Sequence, residues 1–402
     1  MGLLKAHIKE KELKANKVTP GSVQDTLYVS TGFDYLDAMS GSIETAENGE
    51  RFYNLGMPMG KIVLYVGQSQ TGKSTKAYQD GWAIIKDLNG DMTVFDFERS
   101  TSNLEKRVME VTGCSKTQFA DSVSCFKQET LTIDFVKDFM FDIVNKKREL
   151  GKSCFVDWVD NKNKPIKIYP PTVIIIDSIS ATRSKELLEN PAADGNMVNA
   201  LLAKNNSSFL QSVLHILEAY NITLLCIGHV TNKIIIDPYA PIKLQLPGLD
   251  KNDNIKGGNA FCYFSSYAYQ FMTGAELNPE KDLGISGRVT NVKILKSRSG
   301  YNQKKLPTAY TGKEGFNNLI TNYFLLKDAG KIKTNGKAGI NLANYPELKI
   351  PQKKFVDTYL TNEVFKEKFE DLVMDLMDGI LNDKDQGFTS IQVEEISEEF
   401  EE

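Results

Sequence analysis

The stretch that decides the fold is Lys61-Ile-Val-Leu-Tyr-Val-Gly67-Gln-Ser-Gln-Thr-Gly72-Lys73-Ser74, an apolar run followed by a loop with a glycine at each end. The apolar run at residues 61–66 predicts a buried strand, and a helical pattern begins near Lys73. The eight residues from Gly67 to Ser74 fit G-x-x-x-x-G-K-[ST], in which glycines let backbone N–H groups wrap a phosphate. The sequence therefore predicts a phosphate-binding loop at a strand-to-helix junction.

This loop and a later strand supply the candidate residues for ATP and Mg²⁺. Lys73 can reach the terminal phosphates, and the hydroxyl of Ser74 can ligand Mg²⁺. The run Val173-Ile-Ile-Ile176 predicts a buried strand that ends in Asp177, a second candidate magnesium ligand, and Ser178 can sense the γ-phosphate. The candidate nucleotide-binding residues are Gly67, Gln68, Ser69, Gln70, Thr71, Gly72, Lys73, Ser74, Thr75, Asp177 and Ser178.

Short β-rich runs alternate with helical stretches between about residues 27 and 318, which predicts an α/β fold with a mostly parallel sheet. The candidate strands are residues 61–66, 92–97, 172–176, 223–228 and 292–296. A β-hairpin at 154–170, a polar loop at 186–197 and a long loop at 232–258 are predicted to interrupt this alternation. After residue 312, a smaller Lys-rich helical region is predicted to extend to about residue 382.

The composition excludes several classes of protein. Hydrophobic residues make up 41% of the 402 residues and charged residues 25%, which excludes a disordered or fibrous chain. No apolar run approaches the roughly 18 residues of a membrane span, and no signal peptide or lipid anchor motif is visible. Five scattered cysteines predict reduced, buried thiols, and three dispersed histidines argue against a zinc site. We therefore expect a cytoplasmic protein without a membrane partner.

Charge is distributed unevenly along the chain. Residues 383–402 carry eight acidic side chains against one lysine, a net −7, so the overall −4 leaves +3 for residues 1–382. A mildly basic body with an acidic end is typical of a protein that binds a polyanion and carries a competing tail. A tail that only improves solubility is an equally good interpretation.

A second carboxylate follows another predicted strand. The sequence Phe95-Asp-Phe-Glu98 ends the candidate strand at residues 92–97. Because strand ends in an open α/β sheet face the ligand crevice, Glu98 can orient and deprotonate a water in line with the γ-phosphate. The alternative is a surface carboxylate that caps a strand, and the residues alone leave both open.

Several motifs together carry a family resemblance. They are Val29-Ser-Thr-Gly-Phe-Asp-Tyr-Leu-Asp37, Leu55-Gly-Met-Pro-Met-Gly-Lys61, the phosphate-binding loop, Asp96-Phe-Glu98, Ile176-Asp-Ser178 and Gly257-Gly-Asn-Ala260. In this order and spacing the chain resembles the RecA-type DNA recombinases over roughly residues 27–320. His229, at the end of the fourth candidate strand, makes it most similar to the phage UvsX branch.

The resemblance implies roles for individual residues. Glu98 matches the catalytic carboxylate, acting with Lys73, and His229 matches the γ-phosphate sensor that couples ATP to DNA. Lys296 and Arg298 match positive residues that reach the nucleotide of a neighbouring subunit. From the residues alone, His229 is more often a structural hydrogen-bonding group, and Lys296 and Arg298 are solvated charges beside a strand.

The resemblance also implies where DNA binds. The loops at about 186–197 and 232–258 match the two segments that hold single-stranded DNA, whose phosphates lysines neutralise while apolar side chains separate the bases. The candidate DNA-binding residues are Met197, Lys204, Lys233, Lys251, Lys256, Gly257 and Gly258. Ser102 and Glu105 follow Glu98 where the family usually offers an acidic or hydroxyl group and then a Tyr against adenine, so the base preference is open.

The resemblance divides the chain into four parts. Residues 1–26 are expected to form a helix and linker that dock on an adjacent subunit, and residues 27–316 a RecA-like P-loop ATPase core. Residues 317–382 are expected to form a small C-terminal domain, and residues 383–402 the acidic tail.

The implied function is that of an ATP- and Mg²⁺-dependent recombinase. Such a protein forms helical homo-oligomers on single-stranded DNA, pairs them with double-stranded DNA, and works with single-strand binding and mediator proteins in the cytoplasm, which is the host's if a phage encodes it. The leading alternative is a hexameric replicative helicase with the same fold. A third is a filament-forming accessory protein that binds ATP without turning it over.

Overall fold

The computed structural model describes residues 26–45, 48–99, 103–127, 130–189, 195–232, 244–257, 259–277, 283–298, 305–335 and 339–385. In these ranges the chain is an α/β protein built on a ten-stranded sheet. The helices are α1 Asp34–Ser40, α2 Lys73–Ile85, α3 Leu104–Thr112, α4 Lys116–Ser122, α5 Ile133–Leu150, α6 Lys185–Glu189, α7 Gly195–Ala219, α8 Asn259–Phe264, α9 Asn318–Asp328, α10 Phe355–Thr361 and α11 Glu363–Asp385.

The strands belong to the large sheet or to small antiparallel units. They are β1 Tyr28–Val29, β2 Ser42–Thr45, β3 Arg51–Asn54, β4 Met57–Pro58, β5 Ile62–Gly67, β6 Asp91–Asp96, β7 Val123–Phe126, β8 Val156–Val159, β9 Pro165–Ile168, β10 Thr172–Asp177, β11 Ile222–Asn232, β12 Asp253–Ile255, β13 Tyr267–Leu277, β14 Gly287–Ser297, β15 Lys305–Thr311, β16 Gly315–Phe316, β17 Ile332–Asn335, β18 Gly339–Leu342 and β19 Tyr345–Pro351.

The large sheet has the order β16-β15-β14-β13-β5-β11-β10-β6-β7, with β12 added to the end of β11. Neighbouring strands from β13 to β7 run parallel, whereas β14, β15, β16 and β12 pair antiparallel. Every residue of β5 and β10 is buried, because helices cover both faces of the sheet. The α/β class and the mostly parallel sheet predicted from the sequence are confirmed.

Each candidate strand is present in the structure, with bounds that differ by a few residues. The predicted hairpin at 154–170 is also present, as the antiparallel pair β8 and β9. Asn161, at its turn, donates a hydrogen bond to Asn54 of β3, and Lys162 pairs with Glu44 of β2 at 3.5 Å. The hairpin is therefore packed against a second hairpin, β2–β3, on the same side of the molecule.

Two predictions about local structure are wrong in part. The polar segment 186–197 is not simply a loop, because α6 covers its beginning and α7 starts at Gly195. The region after residue 312 is not helical throughout, because β17, β18 and β19 form a three-stranded sheet within it. The N-terminal 25 residues and residues 386–402 lie outside the described ranges, so the docking helix, most of the acidic tail and the division into domains stay predictions.

Two further expectations concern membrane-spanning helices and the burial of the cysteines. None of the helices in the described part of the chain combines the length and apolar character that a membrane span requires. Cys114, Cys226 and Cys262 are buried free thiols as predicted, whereas Cys125 is exposed and Cys154 is partly exposed.

A buried cluster of charges connects α2 to β5 and to the start of α1. Lys76 of α2 pairs with Asp80 one turn later, and each side chain is only 1% exposed. The hydroxyl of Tyr65 in β5 donates to Asp80 at 2.6 Å, and the Lys76 ammonium lies 4.1 Å from the ring centre of Phe33. This cluster therefore connects α2, β5 and the start of α1 through groups that have no access to water.

Asp37 extends this buried cluster into α1. Its carboxylate accepts hydrogen bonds from the backbone and side chain of Thr31 at 3.0 Å and 2.5 Å and from the Ser30 hydroxyl at 2.6 Å. Burial raises the pKa of Asp37 to about 6, against the lowering effect of these donors and of Lys76. The Ser-Thr segment of the sequence thus supplies the donors that an isolated buried carboxylate needs.

We expect Asp80→Ala to destabilise the fold by about 3–5 kcal/mol, because it leaves the Lys76 ammonium buried without its partner. Urea unfolding followed by circular dichroism measures this. Glu149→Ala is the control, since it breaks an exposed pair with Lys146 (3.1 Å) that contributes little. The double variant Lys76→Met/Asp80→Leu should recover much of the loss. Equal losses for Asp80→Ala and Glu149→Ala would contradict the importance of the buried pair.

Candidate functional site

The register of the parallel strands brings the candidate residues together at one edge of the sheet, where β5, β6, β10 and β11 end. We call this the carboxyl edge, and the edge where these strands begin the amino edge. His229 of β11 lies level with Gly67 of β5, and Asp177 of β10 lies level with Asp96 of β6. Residues separated by up to 162 positions in the sequence therefore share one site.

The loop from Gly67 to Gly72 connects β5 to α2 as the motif predicts. Gly72 has φ +94°, a conformation that residues with a side chain rarely adopt, and a Cβ there would lie 2.8 Å from the Phe316 ring. A Cβ on Gly67 would collide with the carbonyl oxygen of Phe271 on β13. Both glycines are therefore required by the local geometry.

Side chains hold the carbonyl groups of this loop in fixed directions. The Lys73 ammonium donates to the Gln68 carbonyl at 2.5 Å, and the Thr71 hydroxyl donates to the same oxygen at 2.9 Å. Arg288, from β14, donates to the carbonyl of Gln70. With these carbonyls bound to donors, the loop can direct its N–H groups toward an anion.

Lys73 and Asp177 form the charged floor of the site. Burial lowers the pKa of Lys73 to about 8, although Asp177 and Glu98 act to raise it. Burial raises the pKa of Asp177 to about 6, while a hydrogen bond from the Ser74 hydroxyl acts in the opposite direction. Opposite charges are thus held close together at a point that water barely reaches.

The oxygen atoms at this floor fit a magnesium ion. Ser74 contacts Asp177, and one carboxylate oxygen of the buried Asp96, Oδ2, has no hydrogen-bond partner among the described residues. Mg²⁺ is usually bound by one or two carboxylates together with substrate phosphates, rather than by a complete protein cage. No cluster of three or more His, Cys, Asp or Glu suited to a metal occurs in the described ranges.

Glu98 sits in a hydrogen-bonded group with two residues from neighbouring strands. Its Oε1 lies 2.6 Å from Nε2 of His229 and also accepts a hydrogen bond from the hydroxyl of Ser178. The hydrogen bond from His229 is the main cause that holds the pKa of Glu98 below its usual value. Burial raises this pKa, and the hydrogen bond from Ser178 lowers it further. The direction of the Glu98 carboxylate is therefore fixed by His229 and Ser178.

The segment after His229 links this group to the second predicted DNA loop. The Lys256 N–H donates to the His229 carbonyl at 3.0 Å, and β12 pairs with the end of β11. Gly257 has φ +105°, and a Cβ there would lie 2.8 Å from the carbonyl oxygen of Ile179. The backbone of this loop therefore contacts both the strand that carries His229 and the turn that carries Ser178.

The structure places the other DNA candidates only in part. Lys204 is exposed on α7, and Lys251 and Lys256 are exposed near β12. Met197 is the third residue of α7, but its side chain, like Lys233 and Gly258, falls outside what the structure describes. Of the loop predicted at 232–258, residues 244–257 are described and contain turns and a short strand.

Lys296 and Arg298 lie at the amino edge, not with the other site residues. Lys296 pairs with Ala268 of β13, which in turn pairs with Leu64 of β5. Leu64 lies three residues, or about 10 Å of strand, before Gly67. Its ammonium donates to the carbonyls of Cys262 and Tyr263 at 3.0 Å and 2.8 Å. The exposed Arg298 lies beyond it, so neither side chain belongs to the site at the carboxyl edge of the same chain.

Three residues beside the loop were not singled out from the sequence. Arg107 of α3 donates to the hydroxyls of Thr75 and Tyr310, both at 3.0 Å, and the guanidinium of Arg288 lies 4.8 Å from the Tyr310 ring centre. They come from three elements and form no local pattern. Glu105, at the position where the family offers an aromatic residue, is exposed on α3.

No known protein-family model matches this chain, and a search of curated proteins finds none with significant similarity. The function must therefore be inferred from the geometry of the site.

We expect His229→Ala to raise the pKa of Glu98, because the hydrogen bond from His229 is the main cause of its lowered value. A ¹³C carboxyl NMR titration of protein labelled at glutamate measures this, with Glu98→Gln to assign the resonance. Ser178→Ala should raise the pKa less, since its hydrogen bond has the smaller effect. An unchanged titration midpoint in His229→Ala would contradict the contact.

Proposed function

We propose that this protein is an ATP-dependent DNA recombinase of the RecA type, most similar to the phage UvsX branch. In this function it polymerises on single-stranded DNA with Mg²⁺-ATP between subunits, pairs that strand with homologous double-stranded DNA, and releases it on hydrolysis. The observation that carries the proposal is the separation of the charged residues between the two edges of the sheet. Lys73, Asp177, Glu98 and His229 share the carboxyl edge, while Lys296 and Arg298 lie at the amino edge.

This separation favours a site completed by a second copy of the chain. Stacking one subunit's amino edge on the carboxyl edge of the next brings Lys296 and Arg298 to the nucleotide of the neighbour. A repeated head-to-tail contact of this kind gives a helical filament when the rotation does not close a ring. The nucleotide then acts as part of the subunit interface.

The residues at the carboxyl edge have distinct roles in the proposed hydrolysis. Lys73 and the N–H groups of the loop bind the phosphates, and Ser74 and Asp177 hold Mg²⁺, which supplies charge neutralisation at the phosphates. Glu98 orients the attacking water and accepts its proton, a role that suits an ionised carboxylate with a fixed direction. Its contacts to His229 and Ser178 provide that direction.

His229 also offers a route from ATP to DNA. One side of this residue contacts Glu98, and its carbonyl accepts the N–H of Lys256. When the γ-phosphate leaves, a change in the hydrogen bonds of His229 can therefore move the backbone at Lys256 and Gly257, to which its carbonyl is bonded. Exposed lysines on this loop can neutralise DNA phosphates, which makes binding depend on salt.

Electron microscopy with single-stranded DNA and a non-hydrolysable ATP analogue tests the proposal. A recombinase should give long helical filaments. Closed rings would instead support a hexameric helicase. Filaments together with no turnover in a separate assay with ATP would support an accessory protein that uses ATP only as a structural ligand.

We expect Glu98→Gln to keep ATP and DNA binding while losing turnover by several powers of ten, because only the attacking water loses its base. Lys73→Ala is the contrasting variant and should lose nucleotide-dependent DNA binding altogether. Steady-state ATPase assays and filter binding measure the two properties separately. Wild-type turnover by Glu98→Gln with DNA present would make the catalytic assignment wrong.

We expect a mixture of Lys73→Ala and Arg298→Ala subunits to regain part of the DNA-dependent ATPase activity that each lacks alone. In the mixture, an intact loop can face an intact Arg298 at some interfaces. The matched control mixes Lys73→Ala with the double variant Lys73→Ala/Arg298→Ala, which cannot rebuild a complete site. If pull-down shows co-assembly and the first mixture is as inactive as the control, Arg298 does not act across the interface.

A further inference from the structure

The hairpin formed by β13 and β14 extends past the phosphate-binding loop. Phe271 of β13 lies level with Gly67, whereas the hairpin continues six residues further, to the pair Leu277 and Gly287. At about 3.3 Å per residue the overhang is roughly 20 Å. Arg288, the second residue of β14, therefore lies beyond the end of β5, beside the outer part of the loop.

Arg288 has a fixed position there. Its Nη2 donates to the carbonyl of Gln70, and its guanidinium lies 4.8 Å from the ring centre of Tyr310. Tyr310 is in turn held by Arg107, which donates to its hydroxyl and to Thr75 in the first turn of α2. The Arg288 side chain thus contacts the loop directly and is connected to α2 through Tyr310 and Arg107.

One donor of this guanidinium is buried and unpaired. Arg288 Nε has no hydrogen-bond partner among the residues that the structure describes. Buried N–H groups are almost always paired, and a cationic donor left unpaired is costly. The adjacent Gln70 also has φ +64°, a conformation that residues other than glycine rarely adopt, and the Arg288 hydrogen bond holds its carbonyl.

We infer that Arg288 is a phosphate-binding residue of the nucleotide site in the same subunit. This inference rests on the proposed function. It adds Arg288 to the positive charges around the phosphates, besides Lys73 of the same subunit and Lys296 and Arg298 of a neighbouring copy. A guanidinium suits the position, because its planar set of donors can bind the Gln70 carbonyl and a phosphate oxygen at the same time. Lysine, with a single ammonium, cannot reproduce both directions as well.

The test measures binding of tripolyphosphate and of a non-hydrolysable ATP analogue by calorimetry, without DNA. Arg288→Gln should weaken both ligands by about tenfold or more, the usual effect of a hydrogen bond to a charged group. Arg288→Lys should lose less, because it keeps the charge, and the difference between wild type and Arg288→Gln should shrink as salt is raised. Thermal unfolding without ligand establishes that both variants are folded.

Arg148→Gln is the matched control. Arg148 also stacks on a tyrosine, Tyr220, at 5.1 Å and donates to its hydroxyl at 2.6 Å, but it lies at the amino edge. This variant should bind both ligands as the wild type does.

Three results would overturn the inference while leaving nucleotide binding intact. They are equal affinities for wild type and Arg288→Gln, an effect on the ATP analogue without one on tripolyphosphate, and equal losses in the Gln and Lys variants. The second would assign Arg288 to the base, and the third would make it only a packing residue. A folded wild type that binds neither ligand would overturn the proposed function together with the inference.

Discussion

The register of the parallel strands is the constraint on which the whole site depends. Each backbone hydrogen bond between β5, β11, β10 and β6 fixes which residue of one strand faces which residue of the next. A shift of one residue in β11 would move His229 away from Gly67 and turn its side chain to the other face of the sheet. The contact between His229 and Glu98 thus depends on strand pairings most of which contain no candidate site residue.

The two faces of this sheet secure the register in different ways. On one face, α5, α7 and α8 pack an apolar core against the strands. On the other, the core also surrounds the buried charges of Lys76, Asp80 and Asp37. Apolar packing stabilises the sheet, while the charged cluster connects α2, which follows the loop at Gly67–Gly72, to β5 and α1. Contacts on both faces of the sheet therefore help to fix the strands that carry the candidate site.

The features that the sequence predicted well are those encoded within a few residues of each other. The loop at Gly67–Gly72, the strand before Asp177 and the hairpin at β8–β9 each have a local pattern that needs no tertiary context. The contact of Glu98 with His229 joins residues 131 positions apart and depends on strand order. Arg288 was missed because its position depends on the length of a hairpin overhang. The sheet at β17–β19 was missed because β17 and β18 have only four residues each, too few for an alternating pattern to stand out.

The close contact between Gly257 and Ile179 has a mechanical consequence. A main chain pressed against another main chain offers no rotamer that could absorb a displacement, unlike an interface made of flexible side chains. A displacement of the turn at Ser178 and Ile179 toward Gly257 would therefore be opposed by the backbone of Gly257 itself. No side chain can be introduced at residue 257 without moving one of the two segments, since a Cβ at Gly257 would lie 2.8 Å from the Ile179 carbonyl oxygen. The relative position of these two segments therefore depends on the absence of a side chain at residue 257.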